Sequence, residues 1–138
     1  MSRITVEEFE AIMRESLPFA VMMGAKLIEL SEGKAVFRMP FREDFLRPGG
    51  TVNGPMLMGL ADLAMFAVVL SSVGKVELAV TTNLNINFLR KPAPVDVIAV
   101  ARMLKLGKRL AVGEVELFSD GDPDMVAHVT ATYSIPPR

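Results

Sequence analysis

The stretch Asn53–Val73 reads NGPMLMGLADLAMFAVVLSSV, and its reading decides the fold. Asn53 suits an N-cap, because its side-chain oxygen can accept from a first-turn N–H; Pro55 is tolerable in that turn, where its missing N–H would be unpaired anyway. Gly74 is a natural C-terminal stop. Between these ends apolar residues lie on every side, so the helix is expected to be enclosed rather than amphipathic. Asp62 is its only charged residue. A stretch this long and apolar could also span a bilayer, but an aspartate at its middle costs about 2.5–3.5 kcal/mol on insertion scales. The expected reading is a core helix, with no membrane partner.

The chain on either side supplies the material that would enclose it. Thr5 followed by Glu8 has the spacing of a capping box, and Phe9, Ile12, Met13 and Leu17 give the helix that follows an apolar face, with Pro18 near its end. Residues 26–32 and 34–41 read as a hairpin about Glu32-Gly33, and residues 42–50 as a loop broken by Pro48-Gly49-Gly50. After the long helix, residues 78–90 alternate: Val80, Thr82, Leu84, Ile86 and Phe88 are expected on one face, Thr81, Asn83, Asn85 and Asn87 on the other. Pro92 and Pro94 end that run. Three further strands, over residues 95–106, 110–118 and 125–135, complete four extended segments read as a meander. An all-apolar helix beside antiparallel strands predicts an α+β domain in which the sheet curls around the helix. A single domain over 1–138 is expected, with a helical segment over 1–22 and the central helix over 53–73.

Composition bounds the function. With no cysteine and one histidine, His128, among 138 residues, disulfides, thiolate catalysis, cysteine-ligated metals and multi-histidine metal sites within one chain are excluded. A net charge of −1 gives no bias toward nucleic acid. The first residues turn acidic at once and carry no apolar h-region, which makes a cytoplasmic protein the default. The hydrophobic fraction, 51%, and mean hydropathy, +0.37, are high for a small monomer. The excess predicts burial against a second copy.

A carboxylate within an apolar helix is costly unless paired or hydrogen-bonded. The start of the same helix offers free backbone N–H groups, unobstructed at Gly54, and such ends bind anions and developing oxyanions. Gly54 and Asp62 are eight residues apart, about 12 Å along a helix rising 1.5 Å per residue. That is too far for both to touch one reacting atom. If they cooperate, Gly54 of one subunit must meet Asp62 of another, so a homodimer with shared sites is expected.

Residues 50–55, Gly-Thr-Val-Asn-Gly-Pro, together with residues 60–64, Leu-Ala-Asp-Leu-Ala, resemble the signature of PaaI-type hotdog-fold acyl-CoA thioesterases; residues 81–92 and 127–133 resemble it too. The resemblance implies a hotdog fold, hydrolysis of acyl-CoA thioesters, and assembly as a dimer or a dimer of dimers with the site at the interface. Asp62 falls on the family's catalytic carboxylate, a base or nucleophile, and Gly54 on the glycine whose amide polarises the thioester carbonyl. Thr81 falls where some members keep a hydroxyl that positions water. Asn53-Gly54-Pro55 replaces the usual His-Gly-Gly, and Arg47 stands where some members place asparagine. Asn53 is expected to help at the carbonyl, and Arg47, Pro55 and Asn83 to border the substrate. Arg90, Lys91, Lys105, Lys108 and Arg109 are candidate contacts for coenzyme A phosphates. No metal and no separate cofactor are expected, coenzyme A arriving as part of the substrate. The departures leave open a non-catalytic acyl-CoA-binding or regulatory protein. A hydratase ranks last, because His128 has no partner in the sequence to make it a base.

Overall fold

The computed structural model describes residues 1–137. Helix α1 (Val6–Ser16) starts with the expected reciprocal cap: Thr5 Oγ1 accepts from Glu8 N at 3.0 Å, and Glu8 Oε1 from Thr5 N at 2.9 Å. A second, short helix α2 (Pro18–Met23) follows. Pro18, read in the sequence as marking an end, opens it, because its fixed φ and missing N–H suit a first helical turn. Strands β1 (Lys26–Ser31) and β2 (Lys34–Met39) form the expected hairpin, and Gly33 supplies the positive φ of its turn. The expected loop over 42–50 is more ordered than its composition suggested. It holds a 3₁₀ turn (Glu43–Phe45) and a two-residue strand β3 (Leu46–Arg47), which pairs with β4 (Thr51–Val52) to deliver the chain to the long helix.

Helix α3 (Gly54–Val73) is capped by Asn53 and stopped at Gly74, as read. It is the one described helix long and apolar enough to cross a membrane, and most of it is buried within the fold. The sheet wraps it. Strands β5 (Val80–Phe88), β6 (Val97–Leu106), β7 (Leu110–Ser119) and β8 (Met125–Ser134) join the first hairpin in the order β1-β2-β6-β7-β8-β5, antiparallel throughout. The four-strand meander is therefore corrected. Only β6, β7 and β8 follow one another; β5 lies beyond β8, at the edge. Pro92 and Pro94 lack the N–H groups a tight β5–β6 hairpin would need, and the connection they stiffen carries the chain to a place beside β2 instead.

A second correction concerns faces. Between Thr81 and Asn83 the β5–β8 register shifts, Thr82 being the unpaired residue of a bulge. A bulge inverts the alternation beyond it. Thr81 therefore faces inward with Leu84 and Ile86, while Asn83, Asn85 and Asn87 are exposed. A strict period of two had placed Thr81 with the asparagines.

The wrap is tight at Gly113 on β7. A Cβ there would lie 2.5 Å from Met65 Sδ on α3 and 2.8 Å from the Arg102 carbonyl oxygen on β6. The methionine can shift, whereas the neighbouring backbone cannot. Gly113→Ala is expected to destabilise the fold by about 1–3 kcal/mol, the usual cost of overpacking. A lower urea midpoint at unchanged slope would show it.

Candidate active site

Asp62 lies on α3 between Gly59 and Leu63, on a stripe that also includes Phe66 and borders a cavity of 380 Å³. Two hydroxyls hold the carboxylate. Thr81 Oγ1 donates to Asp62 Oδ1 at 2.6 Å and Tyr133 Oη to the same oxygen at 2.8 Å, Tyr133 also reaching the Asp62 carbonyl oxygen at 3.0 Å. Oδ2 makes no hydrogen bond among the described residues and is not buried. One carboxylate oxygen is thus anchored and the other is open on the cavity. The bulge at Thr82 makes this possible, because it turns Thr81 toward the helix.

Tyr133 is the site residue that sequence reasoning missed. It is buried on β8, stacks at 6.2 Å on Phe66, and pairs in register with Thr81. Burial, with the charge of Asp62 added to it, pushes the phenol far above its ordinary pKa, so it remains a hydrogen-bond donor at any working pH. A signal was present. Tyr133 is the only tyrosine, at an inward position of an alternating strand, and a buried phenol needs a polar partner.

The start of α3 borders a different cavity, of 450 Å³, whose lining includes Gly54, Arg47, Thr51, Phe88, Arg90 and Lys91. The fate of its N–H groups can be followed one by one. Met56 N donates to Asn53 Oδ1 at 2.9 Å, Leu57 N to the Asn53 carbonyl at 3.4 Å, and Pro55 has no N–H. The Gly54 N–H has no partner among the described residues. Asn53 is committed on both sides, since its Nδ2 donates to the Phe45 carbonyl at 2.8 Å while its Oδ1 caps the helix. Its side chain fixes the helix end, with one Nδ2 hydrogen held by the Phe45 carbonyl and the second without a partner among the described residues.

The structure thus brings Asp62 and Thr81 together, and separately Gly54, Arg47 and Arg90. Pro55 sits exposed in the first turn of α3, and Asn83 is exposed on the free edge of β5. Arg90 lies 3.8 Å from Asp124. Lys108 and Arg109 occupy the exposed β6–β7 turn and line neither cavity; that turn lies at the Tyr133 end of the sheet, Ile135 N donating to the Arg109 carbonyl at 2.7 Å. His128 Nε2 lies 2.9 Å from Glu114 Oε1, within the β7–β8 ladder and away from both cavities.

A family model described as the thioesterase superfamily matches residues 49–126, more than half of the chain, spanning the helix start, Asp62 and Thr81. Among solved structures, the "putative thioesterase" of Silicibacter sp. TM1040 is 42% identical with a TM-score of 0.89, covering 99% of this chain and 95% of that one. A mutant form of the phenylacetic acid degradation protein PaaI from Thermus thermophilus is 31% identical with a TM-score of 0.77, covering 86% of this chain and 99% of its own. A curated relative, named "putative esterase", from Saccharolobus solfataricus is 28% identical over 94% of this chain and 91% of its own length. The chain belongs to the thioesterase superfamily, as a hydrolase of the PaaI-type hotdog kind.

Proposed function

We propose that the chain hydrolyses acyl-CoA thioesters as a homodimer paired along β5, each site joining Gly54 of one protomer to the partner's Asp62. The observation that carries this reading is the division of labour along α3: one unpartnered N–H at Gly54, one open carboxylate oxygen at Asp62, and two separate cavities between them.

β5 supports the pairing. It is a nine-residue edge strand without a charge, flanked by exposed Leu78 and Leu89, and such an edge is a ready template for another strand. The opposite edge, β1, is blunted by a register shift at Ile28 and by Lys26 and Glu29. Antiparallel pairing of β5 with its two-fold copy about Leu84 sets Val80 opposite the partner's Phe88. The Thr81–Asp62 end of one protomer then faces the Phe88–Gly54 end of the other, closing the separation that one helix cannot.

In this arrangement the Gly54 N–H, reinforced by the dipole of α3, donates to the thioester carbonyl and holds the oxyanion. The partner's Asp62 either takes a proton from the attacking water or attacks the carbonyl carbon itself. In both cases the thiolate of coenzyme A leaves, and Thr81 and Tyr133 keep Oδ2 pointed at the reaction by holding Oδ1. Arg47, Arg90 and Lys91, around the Gly54 cavity, are suited to the phosphates, and the partner's Lys108 and Arg109 come to the same end. Pro55 removes one amide from this helix terminus yet leaves the donor at Gly54 intact, which favours turnover over binding alone.

Release of free thiol from a panel of acyl-CoA esters tests the proposal; no release from any of them, with acyl-CoA bound stoichiometrically, would replace it by the binding-protein reading. Tyr133→Phe is expected to lower kcat about tenfold with little change in KM, since it removes one of two donors to Oδ1 and leaves the cavity's shape. Steady-state kinetics of the variant would check it.

A further inference from the structure

The cavity beside Asp62 has a wall that comes from outside the sheet-and-helix core. Phe19 and Met23 of α2 line it together with Gly59, Leu63 and Phe66 of α3. Gly59 is a notch. A Cβ there would lie 2.6 Å from Phe19 Cε2 and 3.4 Å from Met23 Cε, so the phenyl ring occupies the space of the missing side chain. Yet Phe19 is 49% exposed, unlike the core phenylalanines Phe9 and Phe37, which are fully buried. A ring docked so closely yet left half uncovered gains little as core packing and forms a surface that something else can cover. The short helix that carries it is tied to the chain beyond β2: Arg42 Nη1 donates to the Met22 carbonyl at 2.6 Å, with Arg42 itself paired to Asp44 and lying over the Phe45 ring.

We propose that Phe19, seated in the Gly59 notch, is the specificity-determining wall of an acyl-tail pocket, and that the pocket takes a compact apolar acyl group, a short chain or a single ring, with Asp62 Oδ2 at its mouth. This rests on the thioesterase reading above and deepens it. The lining is predominantly apolar apart from Asp62, Thr81, Tyr133, Glu77 and Ser16, and Gly59, against which Phe19 docks, is the α3 lining residue nearest the start of that helix. Removing the ring opens the notch at Gly59 and extends the pocket along α3. One methylene in a hydrophobic pocket is worth about tenfold or more in discrimination, so the ring should act as a ruler.

The test uses butanoyl-, octanoyl- and dodecanoyl-CoA for turnover, and the matching S-alkyl-CoA thioethers, which cannot be hydrolysed, for binding by calorimetry. Phe19→Ala is expected to raise the dodecanoyl-to-butanoyl ratio of kcat/KM by about tenfold or more, and to shift thioether affinities the same way. Gly59→Ala, which evicts the ring, should perturb the wild-type length preference and have little further effect in the Phe19→Ala background, because the two residues share one contact. Turnover with unchanged length preference in Phe19→Ala would overturn the pocket and leave the thioesterase reading standing. Absent turnover with a Phe19-dependent shift in thioether binding would remove the thioesterase reading and keep the pocket. Neither turnover nor a binding shift would remove both.

Discussion

Asp62→Asn is expected to lower kcat/KM for acyl-CoA by at least about 10³-fold while leaving the fold and the proposed dimer unchanged. The substitution is isosteric, and the amide oxygen of the variant can still accept from Thr81 and Tyr133, so neither hydroxyl loses its partner. What disappears is the charge on the open oxygen. An amide neither removes a proton from water nor forms an anhydride, so the loss should fall on kcat, with KM little changed. Size-exclusion chromatography and urea unfolding alongside the kinetics separate this outcome from misfolding; retention of a tenth or more of the wild-type rate would exclude Asp62 as base or nucleophile. Its role as one or the other is decided by the wild type. With enzyme in excess in ¹⁸O-water, direct attack by activated water places the label in the first-turnover acid. Attack by Asp62 forms a mixed anhydride, and water opening it at the aspartyl carbonyl leaves the label in the protein.

Much of the fold was legible because the decisive signals were local. An N-cap at Asn53, a stop at Gly74 and unbroken apolarity between them specify a buried helix whatever surrounds it, and the capping box at Thr5 and Glu8 specifies the start of α1. The strands were readable as strands for the same reason. Their order was not, because adjacency in a sheet is a long-range property; Pro92 and Pro94 marked the end of β5 but carried no information about which strand it would join. The bulge at Thr82 escaped as well. Alternation along residues 80–88 looks clean in one dimension, and only the register against β8, with Tyr133 opposite Thr81, reveals the extra residue.

The site divides along the same line. Asp62 was visible as a charge where none belonged, and Gly54 as the opening of a helix. Tyr133 was readable only in principle, since the partner that satisfies its hydroxyl is 71 residues away. Asn53 was readable as a cap, but its bond to the Phe45 carbonyl was not, because that carbonyl is delivered by a 3₁₀ turn that the composition of the loop did not announce. The cations fared least well. Their targets lie outside the chain, so nothing in their spacing separates Arg47 and Arg90, which border the Gly54 cavity, from Lys108 and Arg109, which do not.

Two inactive variants should restore activity when mixed. Gly54→Pro removes the N–H of α3 that has no partner among the described residues, at a position where the preceding residue suits a proline. Asn53, with φ −71° and ψ 152°, already has the extended conformation that a residue before proline requires, and proline is favoured at the first helical position. Beyond its chain neighbours, the nearest atoms to a Cβ at this position are the far edge of the Phe88 ring, at 3.2 Å. Gly54→Pro is expected to lose about 10²–10³-fold in kcat, as when one oxyanion donor is removed. Gly54→Ala, which keeps the N–H, should retain most of the activity. Denatured together with Asp62→Asn and refolded at equal concentration, random assortment makes about half of the dimers mixed. In each mixed dimer one site carries both defects, and the other joins an intact Gly54 to an intact partner's Asp62. About a quarter of wild-type activity should therefore return, from two proteins that separately have almost none. If Gly54 and Asp62 served one site within a single chain, every chain in the mixture would carry a defect and none would return. The helix alone argues against that outcome, because eight residues of α3 hold the two groups about 12 Å apart and only a second copy of the chain can bring them to the same carbonyl.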